Sequence, residues 1–321
     1  MNLELLKTQE DRIKYFDQFN PKIQNTILPE NLDGTSKVIS QGFKNFHEVS
    51  INWTINNVCQ LDCKYCYAKE MMKVPKDYNI KKALINLKLV RVPFNICLLG
   101  GEPTLHEDIF QIIKTLTSYK FCHDIDLTTN LFKDIGFWKQ FNIKEFSEKL
   151  NIDASYHPQY DVNYIDKILE LHKLKYINLH CNINIFPENK YFEKTKNIIK
   201  IVKDNNIPFS LNDIHETPDF KIQYKDQNYL NFLKIYNKDE VKYLYEINYT
   251  KQAYTLSEIN NSKLNHFKGF KCTAQDLVIN ESGDIENMCT GKKIHIYTEK
   301  IRDEMITCPR DICSCNTMLR F

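Results

Sequence analysis

Ile177-Asn178-Leu179-His180-Cys181-Asn182-Ile183-Asn184-Ile185 alternates apolar and polar residues without a break. Period two marks a strand whose two faces meet different surroundings. Leu150–Ser155 repeats the pattern with Asn151, Asp153 and Ser155, and Ile125–Thr128 repeats it with Asp126 and Thr128. Further strands are predicted at Glu48–Ile55, Phe94–Leu99 and Phe209–Ile214, with the third strand reaching Thr129. Between them lie helix-compatible segments at Ile80–Val90, Asp108–Tyr119, Val162–Lys173 and Tyr191–Asn205. Strands alternating with helices imply parallel βαβ units and an α/β class. A parallel sheet covered by helices on both faces has two apolar faces, so the polar second face points to an enclosed, wet interior. A closed eight-stranded barrel fills its interior with branched apolar side chains. Six strands with polar inner faces instead predict an open, partial (β/α)6 barrel that holds a polar ligand. The competing reading is that some of these strands are solvent-facing edges.

The rest of the chain sets bounds on that picture. It has 321 residues, 42% hydrophobic and 26% charged, enough for one large domain and a smaller one. Its 43 basic and 41 acidic residues leave a net charge of +2. That balance supplies no field for nucleic acid or an anionic membrane, and neither is an expected partner. No run is long enough for a membrane span, and the N-terminus has acids where a signal peptide is apolar. The expected compartment is the cytoplasm. The expected organisation is a helical leader at 1–47, the barrel at 48–216, a helical bridge at 217–265 and a cysteine-rich domain at 266–321.

Eleven cysteines are many for such a chain, and they cluster. Three lie at 59–66, five at 272–315, and only Cys97, Cys122 and Cys181 stand apart. In a reducing compartment clustered thiols hold metal more readily than they form disulfides. Cys59, Cys63 and Cys66 follow the first strand directly, on the kind of loop where ligand sites of α/β folds gather. Three thiolates suit a [4Fe–4S] cluster with one iron left open. Zinc is the rival, but it wants four ligands, and no Cys or His adjoins the triplet, His47 lying before the strand.

At this point the sequence resembles the radical SAM superfamily. The Cys59-x3-Cys63-x2-Cys66 loop carries Tyr65 at the aromatic position before its last cysteine. The second strand ends in Gly100-Gly101-Glu102-Pro103, similar to the superfamily's GGEP element. The third ends in Thr128-Thr129-Asn130, similar to its TN(G) element, with Leu131 where glycine is usual. The resemblance covers about residues 48–216. It implies that Cys59, Cys63 and Cys66 bind three irons and that S-adenosylmethionine (SAM) chelates the fourth. It implies that Gly100 and Gly101 let backbone approach the methionine part, that Glu102 lies near the SAM amino group, and that Tyr65 lies by the adenine. Asn130 belongs to the same cofactor set. Ser155 and one of Asn182 or Asn184, inward by alternation, are candidates for ribose or carboxylate, with a structural role as the alternative. The implied chemistry is reductive cleavage of SAM to a 5′-deoxyadenosyl radical that abstracts hydrogen from a substrate. The implied protein is oxygen-sensitive, takes electrons from a donor such as flavodoxin or ferredoxin, and acts as an oxidoreductase or isomerase.

Near the C-terminus, Leu277-Val278-Ile279 and Ile285–Met288 flank the turn Glu281-Ser282-Gly283-Asp284, a hairpin with Cys272 and Cys289 at its edges. With Cys308, Cys313 and Cys315 these cysteines resemble the SPASM or Twitch extension of radical SAM enzymes. Five thiols fit one auxiliary [4Fe–4S] cluster of the Twitch kind, four of the five serving as ligands, and a zinc knot is the alternative. Cys97 and Cys181 are expected on helix-packed faces, where cysteine is a small hydrophobe. Cys181 as a hydrogen-atom donor, and Asp153, His157, Asp213 or His215 as a base, are the candidate catalytic groups. The substrate is expected to be a small hydroxylated molecule (sugar, aminocyclitol or nucleoside) that is oxidised or epimerised. The alternative is a ribosomally made peptide, epimerised or crosslinked, which many relatives capture with an N-terminal domain of about 80 residues. A non-enzymatic iron–sulfur electron carrier or zinc module is the reading from outside enzymology.

Overall fold

The computed structural model describes residues 49–214 apart from 67, 73, 75, 161 and 162, then 224–236. In the C-terminal third it describes 245–247, 252–254, 268, 271–273, 276–291, 293, 305–307 and 309. The chain divides into two compact units. One comprises Ile51–Glu240 with Ile279–Asp284, and the other Met1–Ser50, Val241–Val278 and Ile285–Phe321.

The first unit is the expected barrel. Its strands are β1 (Val49–Thr54), β2 (Phe94–Leu99), β3 (Cys122–Thr129), β4 (Leu150–Tyr156), β5 (Asn178–Ile185) and β6 (Phe209–Asp213). They lie side by side in that order, and β2 to β6 are parallel pair by pair. The order ends at β6, so the sheet does not close on itself. Helices α1 (Lys69–Met72), α2 (Ile80–Lys88), α3 (Ile109–Thr117), α4 (Ile135–Lys139), α5 (Lys144–Ser147), α6 (Tyr164–His172) and α7 (Phe192–Asp204) fill the connections. The short α4 and α5 are not legible in the sequence pattern. They exist because Trp138, Phe141 and Phe146 pack with Phe110 of α3 in one aromatic cluster.

Every second residue of the strands is buried on the helix side, as the alternation requires. Ile96, Leu98, Ile125, Leu127, Ile152, Ala154, Cys181 and Ile183 are all shut from solvent. Burying a Leu or Ile side chain contributes about 2–3 kcal/mol, so this layer carries most of the barrel's stability. The other face presents Asn95, Cys97, Asp126, Thr128, Asn151, Asp153, Ser155, His180, Asn182 and Asn184, all only half-buried. Cys181 is on the helix side as expected. Cys97 is not: it sits on the polar inner face, its register partner Asp126 beside it and its thiol 3.7 Å from Thr128 Oγ1. The expectation failed because Phe94, Ile96 and Leu98 claim the helix side of β2, which leaves the odd-numbered positions to the interior.

Helix α8 (Gln227–Tyr236) extends the unit beyond β6. Tyr229 and Phe232 pack with Ile185, and Ile214 N donates to the Tyr229 hydroxyl at 2.9 Å, which fastens the chain beyond β6. The turn Ile279–Asp284 also belongs here. Gly283, at φ 80°, lies so near α2 that a Cβ would come within 2.7 Å of Asn79 O and 2.8 Å of Ala83 N. Asn79 N donates to Glu281 O at 2.8 Å, and the Asn79 side chain caps α2 through Lys82 N. No helix among the described residues is long and apolar enough to cross a membrane.

In the second unit Tyr245–Ile247 and Gln252–Tyr254 form an antiparallel pair inside the stretch expected to be a helical bridge. Lys271–Thr273 pairs with Met305–Thr307, which sets Cys272 opposite Ile306, two positions before Cys308 in sequence. Asp276–Ile279 and Ile285–Asn287 are adjacent strands, the hairpin read from the sequence. Cys289 follows it, its N–H donating to Asn287 Oδ1 at 3.0 Å. The side chain of Cys272 and all of Cys308, Cys313, Cys315 and the 1–47 leader lie outside the described residues.

Candidate active site

The cysteine loop leaves β1 at Ile55 and crosses the C-terminal ends of the neighbouring strands, held by backbone before any ligand is considered. Gly101 N donates to Asn56 O at 3.2 Å, and Glu102 N donates to Val58 O at 2.7 Å. Asn56 closes the junction from the other side, its Nδ2 donating to Glu102 O at 3.0 Å while its Oδ1 accepts from Val58 N. A Cβ on Gly100 would stand 2.7 Å from Asn56 O, and one on Gly101 only 2.3 Å from Val58 O. The two glycines are therefore needed by the cysteine loop itself. The resemblance implied a close approach to the cofactor; the structure adds a close approach to residues 56–59. Asn57 ties down the far end, bonding Val74 O and accepting from Lys76 N. Neither Asn56 nor Asn57 was singled out in the sequence, since paired amides after a strand have many ordinary uses.

Glu102 is 1% exposed and serves as an internal hub. Its Oε1 accepts from Thr104 N, Thr104 Oγ1 and Thr129 Oγ1, and its Oε2 accepts from Asn130 N at 2.7 Å. Burial raises its pKa, and these donors oppose the rise. Only Oε2, with a single bond, keeps ready capacity for another donor such as an ammonium. Asn130 in turn reaches the cysteine loop: its Nδ2 lies 3.8 Å from Cys59 Sγ, and its Oδ1 accepts from Gln60 Nε2 at 2.8 Å. Leu131 takes φ 54°, the left-handed conformation glycine adopts freely. Thr129 Oγ1 accepts from Leu131 N, and Lys167 Nζ donates to Leu131 O at 2.7 Å. The side chain is 1% exposed, so burial offsets the strain that the absent glycine would have avoided.

The three thiols are free and occupy one short loop. Leu61 N donates to Cys59 Sγ at 3.4 Å. Burial raises the pKa of all three and pushes Cys63 up to about 11. Buried thiols of this kind stay protonated until a metal charge displaces the proton, while N–H donors aimed at sulfur favour the thiolate. The donor set thus fits an iron–sulfur cluster. No three Cys, His, Asp or Glu side chains among the described residues gather around a single metal ion.

One histidine does approach. His157, at the end of β4, has Nδ1 3.8 Å from Cys63 Sγ and hydrogen-bonded to the Tyr65 hydroxyl. The sequence reading named His157 as a candidate base but not as a neighbour of Cys63, because 94 residues separate the two. Burial depresses His157 to about 4, so the imidazole is neutral. Tyr65 stacks on it and meets Phe186 edge-on at 4.8 Å. Ser155, Asn130, Gln60 and His157 share a cavity of about 410 Å³ beside the loop. Asn182 and Asn184 do not line it. Asn182 Oδ1 accepts from Ser210, and Asn184 Nδ2 donates to Tyr156 O at 3.0 Å, both sheet-stitching bonds. Asp153 faces the interior one layer below Ser155. The side chain of Asp213 and all of His215 lie outside the described residues.

The same architecture recurs in a solved structure described as native anSMEcpe with bound AdoMet and Cp18Cys peptide. It covers 80% of this chain and 78% of that one, with TM-score 0.50 and 15% identity. Among curated proteins, the GTP 3′,8-cyclase of Haemophilus ducreyi is 31% identical over 116 residues. The S-adenosylmethionine-dependent nucleotide dehydratase of a Fibrobacter species is 34% identical over 98 residues. The barrel shares the fold of that AdoMet-bound structure. The relatives so named are enzymes, and the match takes in 32% of this chain and 32% of the cyclase, and 27% and 28% for the dehydratase. The chain thus spans about a third of the length of the curated relatives it matches. No family model matches the chain.

Proposed function

We propose that this radical SAM barrel is an enzyme that acts on a small hydroxylated molecule, with Cys59, Cys63 and Cys66 holding a [4Fe–4S] cluster. When bound, cluster and SAM supply a 5′-deoxyadenosyl radical that takes a hydrogen atom from the substrate. The protein's own work is placement. Gly101, Glu102 and Asn56 fix the cysteine loop by backbone. Glu102 Oε2 offers one open acceptor, and Ser155 and Asn130 offer polar atoms to the adjoining cavity. Tyr65 and Phe186 meet edge-to-face beside His157.

The observation that carries the substrate class is the inner face itself: amides, hydroxyls, Asp126, Asp153 and His180, with no Lys or Arg anywhere in β1 to β6. Such a wall suits hydroxyl and amine groups. The nucleotide substrates named for the curated relatives set the competing case, and a peptide is the other. In the second unit, Cys272 opposite Ile306 and Cys289 at the hairpin end support one auxiliary cluster built with two of Cys308, Cys313 and Cys315.

Anaerobic reconstitution tests the core of this reading. The expected product is a brown protein that cleaves SAM to 5′-deoxyadenosine under dithionite, with that activity abolished in Cys63→Ala. A colourless zinc-loaded protein, or an active Cys63→Ala variant, overturns it. Iron counting separates one cluster from two: Cys272→Ala and Cys289→Ala are expected to lower iron from about eight to about four per chain while leaving the first cluster in place.

A further inference from the structure

The three sulfurs of the cysteine loop are not served by the same kind of donor. Cys59 Sγ accepts from backbone, with Leu61 N at 3.4 Å. Cys66 accepts from the backbone N–H groups of Ala68 and Lys69. Cys63 is served by a side chain, the Tyr65 hydroxyl, whose bond opposes the rise that burial gives the thiol's pKa. His157 Nδ1 is bonded to that same hydroxyl and lies 3.8 Å from Cys63 Sγ. The stacked imidazole and the edge-on Phe186 fix the Tyr65 ring between them. A hydroxyl donates one proton and accepts on its oxygen at the same time. A metal-bound thiolate only accepts, so the Tyr65 O–H has to point at Cys63, which makes the oxygen an acceptor for His157. The imidazole must then carry a proton on Nδ1. The reverse arrangement, with Tyr65 donating to Nδ1, would turn the lone pairs of both side chains towards the thiolate.

We propose that His157 and Tyr65 form a hydrogen-bond relay onto Cys63 Sγ that raises the reduction potential of the cluster, His157 Nδ1–H donating to the Tyr65 oxygen and Tyr65 O–H donating to the sulfur. The inference rests on the reading that Cys59, Cys63 and Cys66 hold a [4Fe–4S] cluster, and it adds the residues that tune it. Hydrogen bonds to cluster sulfurs draw negative charge away from the iron and so favour the reduced state. His157 is a positioning residue. It acts through Tyr65, orienting the O–H and strengthening it as a donor, since linked hydrogen bonds polarise one another. The backbone donors to Cys59 and Cys66 come with the conformation of the loop. The donor to Cys63 is set by two side chains, so it can be adjusted without refolding the loop. The relay thereby sets how strong a reductant the protein needs.

A redox titration of the full-length, anaerobically reconstituted protein tests it, monitored by the EPR signal that changes when SAM is added, so that an auxiliary cluster is left aside. Tyr65→Phe is expected to make reduction about tenfold less favourable, a shift of about 59 mV to more negative potential for one electron. His157→Leu, which keeps the site dry, is expected to shift it the same way by about threefold. His157→Asn, whose amide N–H falls near the Nδ1 position, is expected to restore the wild-type value. In the Tyr65→Phe background His157→Leu is expected to add nothing, because the relay is already cut. An unchanged potential in Tyr65→Phe overturns the proposal. A further shift by His157→Leu in that background overturns it too, as does a His157→Asn value equal to that of His157→Leu. Iron content screens every variant, and should Tyr65→Phe not load, the Leu and Asn variants of His157 decide. A wild-type protein that takes up no cluster sinks the reading of the cysteine loop itself, whereas a loaded one whose potential ignores both residues sinks only the relay.

Discussion

On the helix side of the sheet Ile96, Leu127, Ile152 and Ile183 are fully buried, whereas the same strands offer Asn95, Thr128, Asp153 and Asn182 to the interior, each partly open. The helix side is governed by packing: each side chain is replaceable by any apolar group of its volume. The interior is governed by partners. Asn182 has Ser210, Asn151 has Asp126, Asp153 has His180, and each pair joins two strands. A face built this way contributes little net stability, because its hydrogen bonds replace those made with water. Its value lies in holding donors and acceptors at set positions, which is what a ligand requires.

The sharpest way to break the contrast is at the rim, where packing and ligand placement coincide. Gly101→Val sets a side chain against Val58 O and C with no room for either backbone to yield. It is expected to destabilise the barrel by about 4 kcal/mol and to prevent iron loading. Urea unfolding and iron analysis measure both, and full loading at wild-type stability would show that the rim is pliable.

A paired substitution on β4 compares the faces directly. Ile152→Ala opens a cavity in the helix-packed layer and is expected to cost about 3 kcal/mol. Ser155→Ala, three residues on and inward, is expected to stay within about 0.5 kcal/mol, because no packing is lost. Its effect belongs to ligand affinity. Equal shifts of the urea midpoint would dissolve the distinction.

A smaller effect than either the rim or the helix-side change concerns the charge of the interior. Asp126 has its pKa raised from 3.8 to about 6, so folding favours its protonated form. Its contribution to stability is fully present below about pH 3.8 and is lost as pH rises through about 6. Asp126→Asn is therefore expected to be more stable than the parent by about 1–2 kcal/mol at pH 8, with the gap closing towards pH 4. A constant difference across that range would mean the carboxyl is not the source.

Much of this was legible in the chain because it is periodic or local. Alternation in residues 125–128, 150–155 and 177–185 fixes strand, face and polarity together, since successive side chains point to opposite sides. The short spacing of Cys59, Cys63 and Cys66 fixes that three thiols share one loop. Cys97 escaped because β2 has apolar residues on both sides of the alternation, so the pattern alone does not say which set faces the helices.

Tertiary structure decided the rest. Proximity between residues far apart in sequence is set by strand order and register, and neither leaves a trace in local pattern. His157 meets Tyr65 across 92 residues, Glu102 meets Asn130 across 28, and His180 meets Asp153 across 27. The glycines of the second strand's end were conspicuous in the sequence; that Asn56 crowds Gly100 and that the backbone of Val58 and Cys59 crowds Gly101 was visible only after the strands had been laid side by side.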